Sequence, residues 1–174
     1  MAVLALDLQV AHLNSIETLF VDILAWGLIH LGTGYAIHRA PVRWLDHDTW
    51  LFRARAFERD GNLYLTRFRI LRWKDDLPEA GAMFAGGISK RSLLSDADGG
   101  LPRFAVETRR AELTHWLAMV PAPLFALWNP AYAVPLMLLY ALAFNLPFIM
   151  IQRFNRLRIL RILRRRTERS ARAA

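Results

Sequence analysis

The placement of positive charge constrains this chain more than any other feature. All 23 Lys and Arg residues fall within residues 39–110 and 153–172, 14 in the first block and 9 in the second. The cation-free stretches 1–38 and 111–152 hold the long apolar runs. Cations banded in this way, alternating with apolar runs, mark a membrane protein whose basic segments lie on one side of the bilayer. A formal charge of +8 points to nucleic acid only when it covers a polar face, so no nucleic-acid partner is expected here. There are no cysteines, which excludes disulfides, thiolate catalysis and cysteine-ligated zinc. At 174 residues the chain is expected to form a single domain.

Three apolar runs are candidate spans. Residues 16–37 are interrupted only by Glu17, Asp22 and His30, and as a helix they would extend about 33 Å, enough to cross a hydrocarbon core. Residues 111–127 form a shorter second run, and 131–151 carry no charge at all. The fold expected is mainly α, an integral membrane protein with about three transmembrane helices and cytoplasmic interfacial amphipathic helices. The positive-inside rule then places the N-terminus outside, residues 40–110 at the cytoplasmic interface, and 153–170 as a basic amphipathic cytoplasmic tail facing anionic lipid. Residues 1–13 lack a basic n-region and are not read as a cleaved signal.

Within the basic block, Asp46-His47-Asp48 offers N-cap side chains to an amphipathic helix over Trp50, Leu51, Ala54 and Phe57, ending at Asp60-Gly61. Residues 63–73 alternate Phe68 and Ile70 with Arg67, Arg69 and Arg72, which suits either a strand or an interfacial helix. A new helix is expected from Pro102 onward. Kinks are expected at Pro135 and Pro147.

The chemistry concentrates in Glu107-Thr108-Arg109-Arg110-Ala111-Glu112-Leu113-Thr114-His115-Trp116. On a helix, Glu112 lies one turn from His115 and about 60° to one side, while Thr108 two turns away is offset by about 20° and Glu107 by about 80° to the other side. Glu112 is thus expected to hold the second imidazole nitrogen of His115, with Glu107 as an auxiliary carboxylate, although the spacing equally describes an ordinary surface pair. Ionisable groups at the edge of a span are functional candidates by default. Arg109 and Arg110 would bind a donor phosphate or snorkel to headgroups. Lys74, oriented by Asp75 and beside Trp73, would donate to an acyl carbonyl or phosphate, or simply close a loop salt bridge. Gly86-Gly87-Ile88-Ser89-Lys90-Arg91 resembles a backbone nest followed by cations, but lacks the spacing of a Walker loop.

The residues Phe57-Glu58-Arg59, Gly61, Tyr64, Arg72-Trp73-Lys74-Asp75, Leu77-Pro78, Gly86-Gly87, Ser89-Lys90-Arg91, the Glu107–Trp116 stretch, Asn145-Leu146-Pro147 and Gln152-Arg153-Asn155-Arg156 together resemble the glycosyl-4,4'-diaponeurosporenoate acyltransferases. The resemblance runs in order from about Trp50 to Arg158. It implies a multi-pass enzyme of the bacterial cell membrane that transfers a fatty acyl group to a hydroxyl of a lipid-linked acceptor. An acyl-CoA or a phospholipid would be the donor, with no cofactor or metal. Under this reading His115, Glu112, Glu107, Lys74 and Asp75 are catalytic, and Arg109, Arg110, Trp73, Thr108, Ser89, Lys90 and Arg91 bind substrate. Two alternatives stay open. One is a metal-dependent lipid-modifying enzyme built on the Glu112-x-x-His115 spacing, joined by Glu107 or by His38 or His47; a di-iron version needs a second motif, which only a homo-oligomer would supply. The other is a non-enzymatic membrane adaptor.

Overall fold

The computed structural model describes residues 8–77 and 100–173. All regular structure among them is helical. In chain order come α1 (Ser15–His38), 3-10 turns at Val42–Trp44 and Ala56–Gly61, α2 (Asn62–Thr66), a 3-10 turn at Ile70–Arg72, α3 (Gly100–Met119), a 3-10 segment at Ala122–Leu127, and α4 (Val134–Ala173).

The first apolar run is one helix. Its N-terminus is closed by a capping box: Asn14 Oδ1 accepts from the Ile16 and Glu17 amides at 3.0 Å each, and Glu17 accepts from the Asn14 amide at 2.9 Å. Its C-terminus is closed from another element. The Arg110 guanidinium donates to the carbonyls of Ile37, His38 and Ala40 around the helix end, where carbonyls lack the N–H groups of a next turn.

The second run is not one helix. α3 begins at Gly100, close to the expected start, but stops at Met119, and residues 122–127 are 3-10. Pro121 and Pro123 lack the N–H groups that an α-helix through 111–127 would need. The third run and the tail, expected as separate pieces, form a single 40-residue helix. Pro135 falls in its first turn, where no N–H is required, and the helix continues through Pro147.

The expectation of a helix over residues 50–58 fails. The chain there makes tight turns, with Arg59, Asp60 and Gly61 at φ of 48°, 54° and 93°. Asp48 caps nothing; its carboxylate is taken by Arg109. The strand alternative for 63–73 fails as well. Tyr64 and Ile70 point inward while Phe68 is half exposed, and Arg69 at φ 47° breaks any extended run.

α3 runs antiparallel between α1 and α4. At one end Arg110 meets the last turn of α1. At the other, Trp128 Nε1 and Asn129 Nδ2 both donate to Asp22 Oδ1, at 2.7 and 2.8 Å. That accounts for an aspartate in the middle of an apolar helix: it ties α1 to the turn before α4. The Val10 and Ala11 amides bond to the Leu127 carbonyl and fasten the N-terminal strap to the same turn. Two apolar clusters fill the bundle. Trp26, Ala122, Phe125 and Ala141 pack at the turn end. Tyr64, Ile70, Ile151, Phe154 and Leu157 pack at the basic end.

Candidate active site

At the basic end three guanidiniums pair with three carboxylates, of which Glu58 and Glu112 are buried and Asp48 lies at the surface. Arg153 reaches Glu58 through two parallel bonds of 2.8 Å and Glu112 through a third of 2.8 Å. Arg156 lies 2.5 Å from the other oxygen of Glu112 and donates to the Phe52 carbonyl. Arg109 pairs with Asp48 at 2.7 Å and donates to the Leu45 carbonyl. Glu58 and Glu112 are 0% exposed and Arg156 is 1% exposed, so these charges must neutralise one another. Three against three, they do.

Glu58 shows how the balance works. Burial raises its pKa, but the bonds from Arg153, from Tyr64 and from the Arg55 amide, with the Arg153 charge, outweigh burial and hold the carboxyl below its ordinary 4.5. Tyr64, desolvated and bonded to Glu58 at 2.6 Å, keeps its proton far above the usual phenol range and acts purely as donor. A depressed carboxyl pKa contributes stability that is complete above the unfolded value and is lost as pH falls through the folded one. The thermal midpoint should therefore drop as pH falls below 4.5, and Glu58→Gln should flatten that acid limb while lowering the midpoint at neutral pH. Midpoints of both proteins between neutral and strongly acid pH check this; parallel curves would remove Glu58 from the account.

The network corrects the expected partnership of Glu112 with His115. Both Glu112 oxygens face cations, and Trp116 Nε1 adds a bond of 3.3 Å. His115 instead turns across to α4, where its Nδ1 lies 3.0 Å from Asn145 Oδ1. Asn145 is fully buried, and its amide nitrogen donates to the Ala141 carbonyl at 2.9 Å. The amide oxygen must therefore accept, which places the proton on His115 Nδ1 and the lone pair on Nε2. The ring lies flat against Phe148, centroids 4.7 Å apart at 8°. An imidazole held this way, in a defined tautomer with its basic nitrogen turned from its orienting partner, is the arrangement general-base catalysis requires.

The other expected site residues are dispersed. Glu107 pairs with Arg110 at 3.2 Å, and both line a cleft of about 570 Å³ with His38, Asp46 and Arg103. Thr108 turns its hydroxyl into its own helix, onto the Ala105 carbonyl. Arg109 and Arg110, expected at a phosphate, are committed to Asp48 and to the end of α1. Trp73 Nε1 donates to the Phe68 carbonyl, and Lys74 pairs with the exposed Asp75 at 2.6 Å. No contact joins Lys74 or Asp75 to His115 among the described residues. Ser89, Lys90 and Arg91 lie outside the described residues. For the metal alternative, Glu112 faces two guanidiniums that compete with any cation, and His47 pairs with Asp46 at the surface.

Two members of the site, Asn145 and Arg153, carry the family resemblance but are absent from the expected site residues, and Arg153 falls in the segment expected as a lipid-facing tail. Their signal was a polar group inside an apolar run and a cation at its edge, but the partners lie 30 and 41 residues away.

A family profile described as glycosyl-4,4'-diaponeurosporenoate acyltransferase matches residues 48–165, more than half of the chain. Proteins of that name from Staphylococcus aureus strains bovine RF122 / ET3-1 and USA300 are each 29% identical over 157 residues, covering 88% of this chain and 94% of their own. The strain Newman protein is 28% identical over the same span. No solved structure matches the chain.

Proposed function

The chain belongs to the glycosyl-4,4'-diaponeurosporenoate acyltransferase family and is an acyltransferase, and from that premise we propose that it moves a fatty acyl group onto a sugar hydroxyl of a membrane-dissolved glycolipid. The observation that carries the reading is the His115–Asn145 pair across the α3–α4 interface. The acceptor hydroxyl gives its proton to His115 Nε2 as its oxygen bonds to the acyl carbonyl carbon. When the tetrahedral adduct collapses, the bond to the donor's leaving sulfur or oxygen breaks, and that atom takes the proton back from His115. The donor is an acyl thioester such as acyl-CoA, or a phospholipid. Glu112, Arg153, Arg156 and Glu58 hold α3 against α4 and so fix the distance between His115 and Asn145.

The protein sits in the cell membrane in this proposal, with the basic end cytoplasmic. Two helices, α1 and α4, are long and apolar enough to cross, and only 22% of the apolar window of each is buried within the protein. The core helix of a water-soluble protein would be mostly covered; here Ile16, Phe20, Ile23, Leu28, Leu139 and Leu142 face outward. α3 with the 3-10 segment 122–127 completes the crossing between them, giving three passes. The N-terminus is then outside and the tail cytoplasmic, as the banded arginines require.

Membrane vesicles from expressing cells carry their own acyl donors, so the test needs only an acceptor. Given a long-chain alkyl glucoside, they should form its monoacyl ester, detected by mass spectrometry, at a rate well above vesicles lacking the protein. No ester above that background would defeat the proposal.

A further inference from the structure

Besides Nε and Nη1 of Arg156 in the basic cluster, two side-chain nitrogens on α1 find no hydrogen-bond partner inside the bundle. Trp26 Nε1 and His30 Nε2 are buried and without a hydrogen-bond partner among the described residues. They stand one turn apart on one face of α1, their rings stacked at 5.7 Å and 25°. Trp26 is 6% exposed, between Phe125 and Tyr140, and an indole N–H can only donate. His30 lies against Phe144 at 4.7 Å, Phe144 against Phe148 at 5.9 Å, and Phe148 against the His115 ring at 4.7 Å.

Buried donors are nearly always satisfied, and each exception calls for a reason. Neither nitrogen reaches a helix carbonyl or a side-chain acceptor among the described residues, so each would be satisfied by a group brought in. One orphan would be an oddity. Two on one face of α1, joined through Phe144 and Phe148 to the imidazole that acts as base, make a receptor for an acceptor atom.

We propose that Trp26 Nε1 and His30 Nε2 receive the carbonyl oxygen of the acyl group and hold the oxyanion that forms there. The inference rests on the acyl-transfer reading above and deepens it. As the acceptor oxygen bonds to the carbonyl carbon, the C=O π pair moves onto the carbonyl oxygen, which in this role accepts from both N–H groups. When the pair returns and the leaving-group bond breaks, neither donor has lost a proton. His30 carries its proton on Nε2 throughout. The assignment to the carbonyl rather than to the sugar follows from charge: the developing oxyanion is the strongest acceptor in the reaction, and fixed donors in a dry site act most strongly on it.

The decisive variant is His30→Phe. A phenyl ring keeps the contacts with Trp26 and Phe144 and removes the unsatisfied N–H, so the thermal midpoint in detergent should equal or exceed that of the parent. In the vesicle assay its maximal rate should fall by about 10²–10³-fold, with the alkyl glucoside KM nearly unchanged. Trp26→Phe should lower the rate in the same way, although its lost packing against Phe125 makes stability a poorer readout there. A His30→Phe protein of near-parental rate overturns the proposal, and so does one with a lowered midpoint. A raised glucoside KM at intact maximal rate also overturns it, because the pair would then hold the sugar. His115→Gln assayed beside it separates the two ideas. If His115→Gln is inactive and His30→Phe is active, the donor pair falls alone. If His115→Gln is active and His30→Phe is not, the base falls and the donor pair stands.

Discussion

His115→Gln is expected to reduce ester formation by roughly 10²–10⁴-fold, the usual worth of a positioned general base. Glutamine can still bond to Asn145 across the α3–α4 interface, but it has no nitrogen able to take a proton near neutral pH. The loss should appear in the maximal rate and not in the amount of protein in the membrane, because His115 belongs to none of the ion pairs that hold the helices. Ester yield by mass spectrometry, normalised to protein extracted in detergent, gives the answer. A variant with parental rate would remove the base assignment. One that fails to accumulate would make His115 a structural residue instead.

Glu112→Gln should have the opposite profile: the fold suffers first. Among the described residues its carboxylate is the only one paired with Arg156 and the second one paired with Arg153. Neutralising it leaves a guanidinium at 1% exposure without its counter-charge, and breaking a buried pair from one side costs about 3–5 kcal/mol. The variant should show a sharply lower thermal midpoint in detergent and poor accumulation in membranes. Glu112→Leu combined with Arg156→Met should recover much of the loss, since removing both charges leaves no orphan. If Glu112→Gln were as stable as the parent yet inactive, Glu112 would belong to the chemistry and the partnership with His115 would have to be reopened. The two variants together therefore separate a residue that reacts from one that holds.

The resemblance read from Phe57-Glu58-Arg59 through Gln152-Arg153 held, and the family match spans those residues. The motif Glu107–Trp116 lies within α3. Within it, helical spacing placed Glu112 beside His115, and the structure places each of them on a different partner. Spacing on one helix identifies neighbours on that helix only. It cannot see that Glu112 faces two arginines of α4, while His115, one turn further along, faces an asparagine.

The same limit explains the errors in the fold. Hydropathy located the apolar run 111–127 but ignored that Pro121 and Pro123 withhold the N–H groups of a continuing helix. Alternation suggested a strand at 63–73 because arginines recur there; arginine side chains are long enough to reach water from either side of a turn, so their spacing carried little information about backbone form.

Banding of cations and apolar runs was enough to establish a helical chain, the extent of α1, and the end of the molecule where the polar chemistry gathers. These are one-dimensional properties: where charge can go and how long an apolar helix must be. Which cation meets which carboxylate, and which amide orients the imidazole, depended on three helices being laid side by side. Glu58 and Arg153 are 95 residues apart, Glu112 and Arg153 are 41 apart, and His115 and Asn145 are 30 apart. A buried charge selects its partner by proximity in space, because out of water Coulomb attraction and the need for hydrogen bonds leave it no other means of satisfaction.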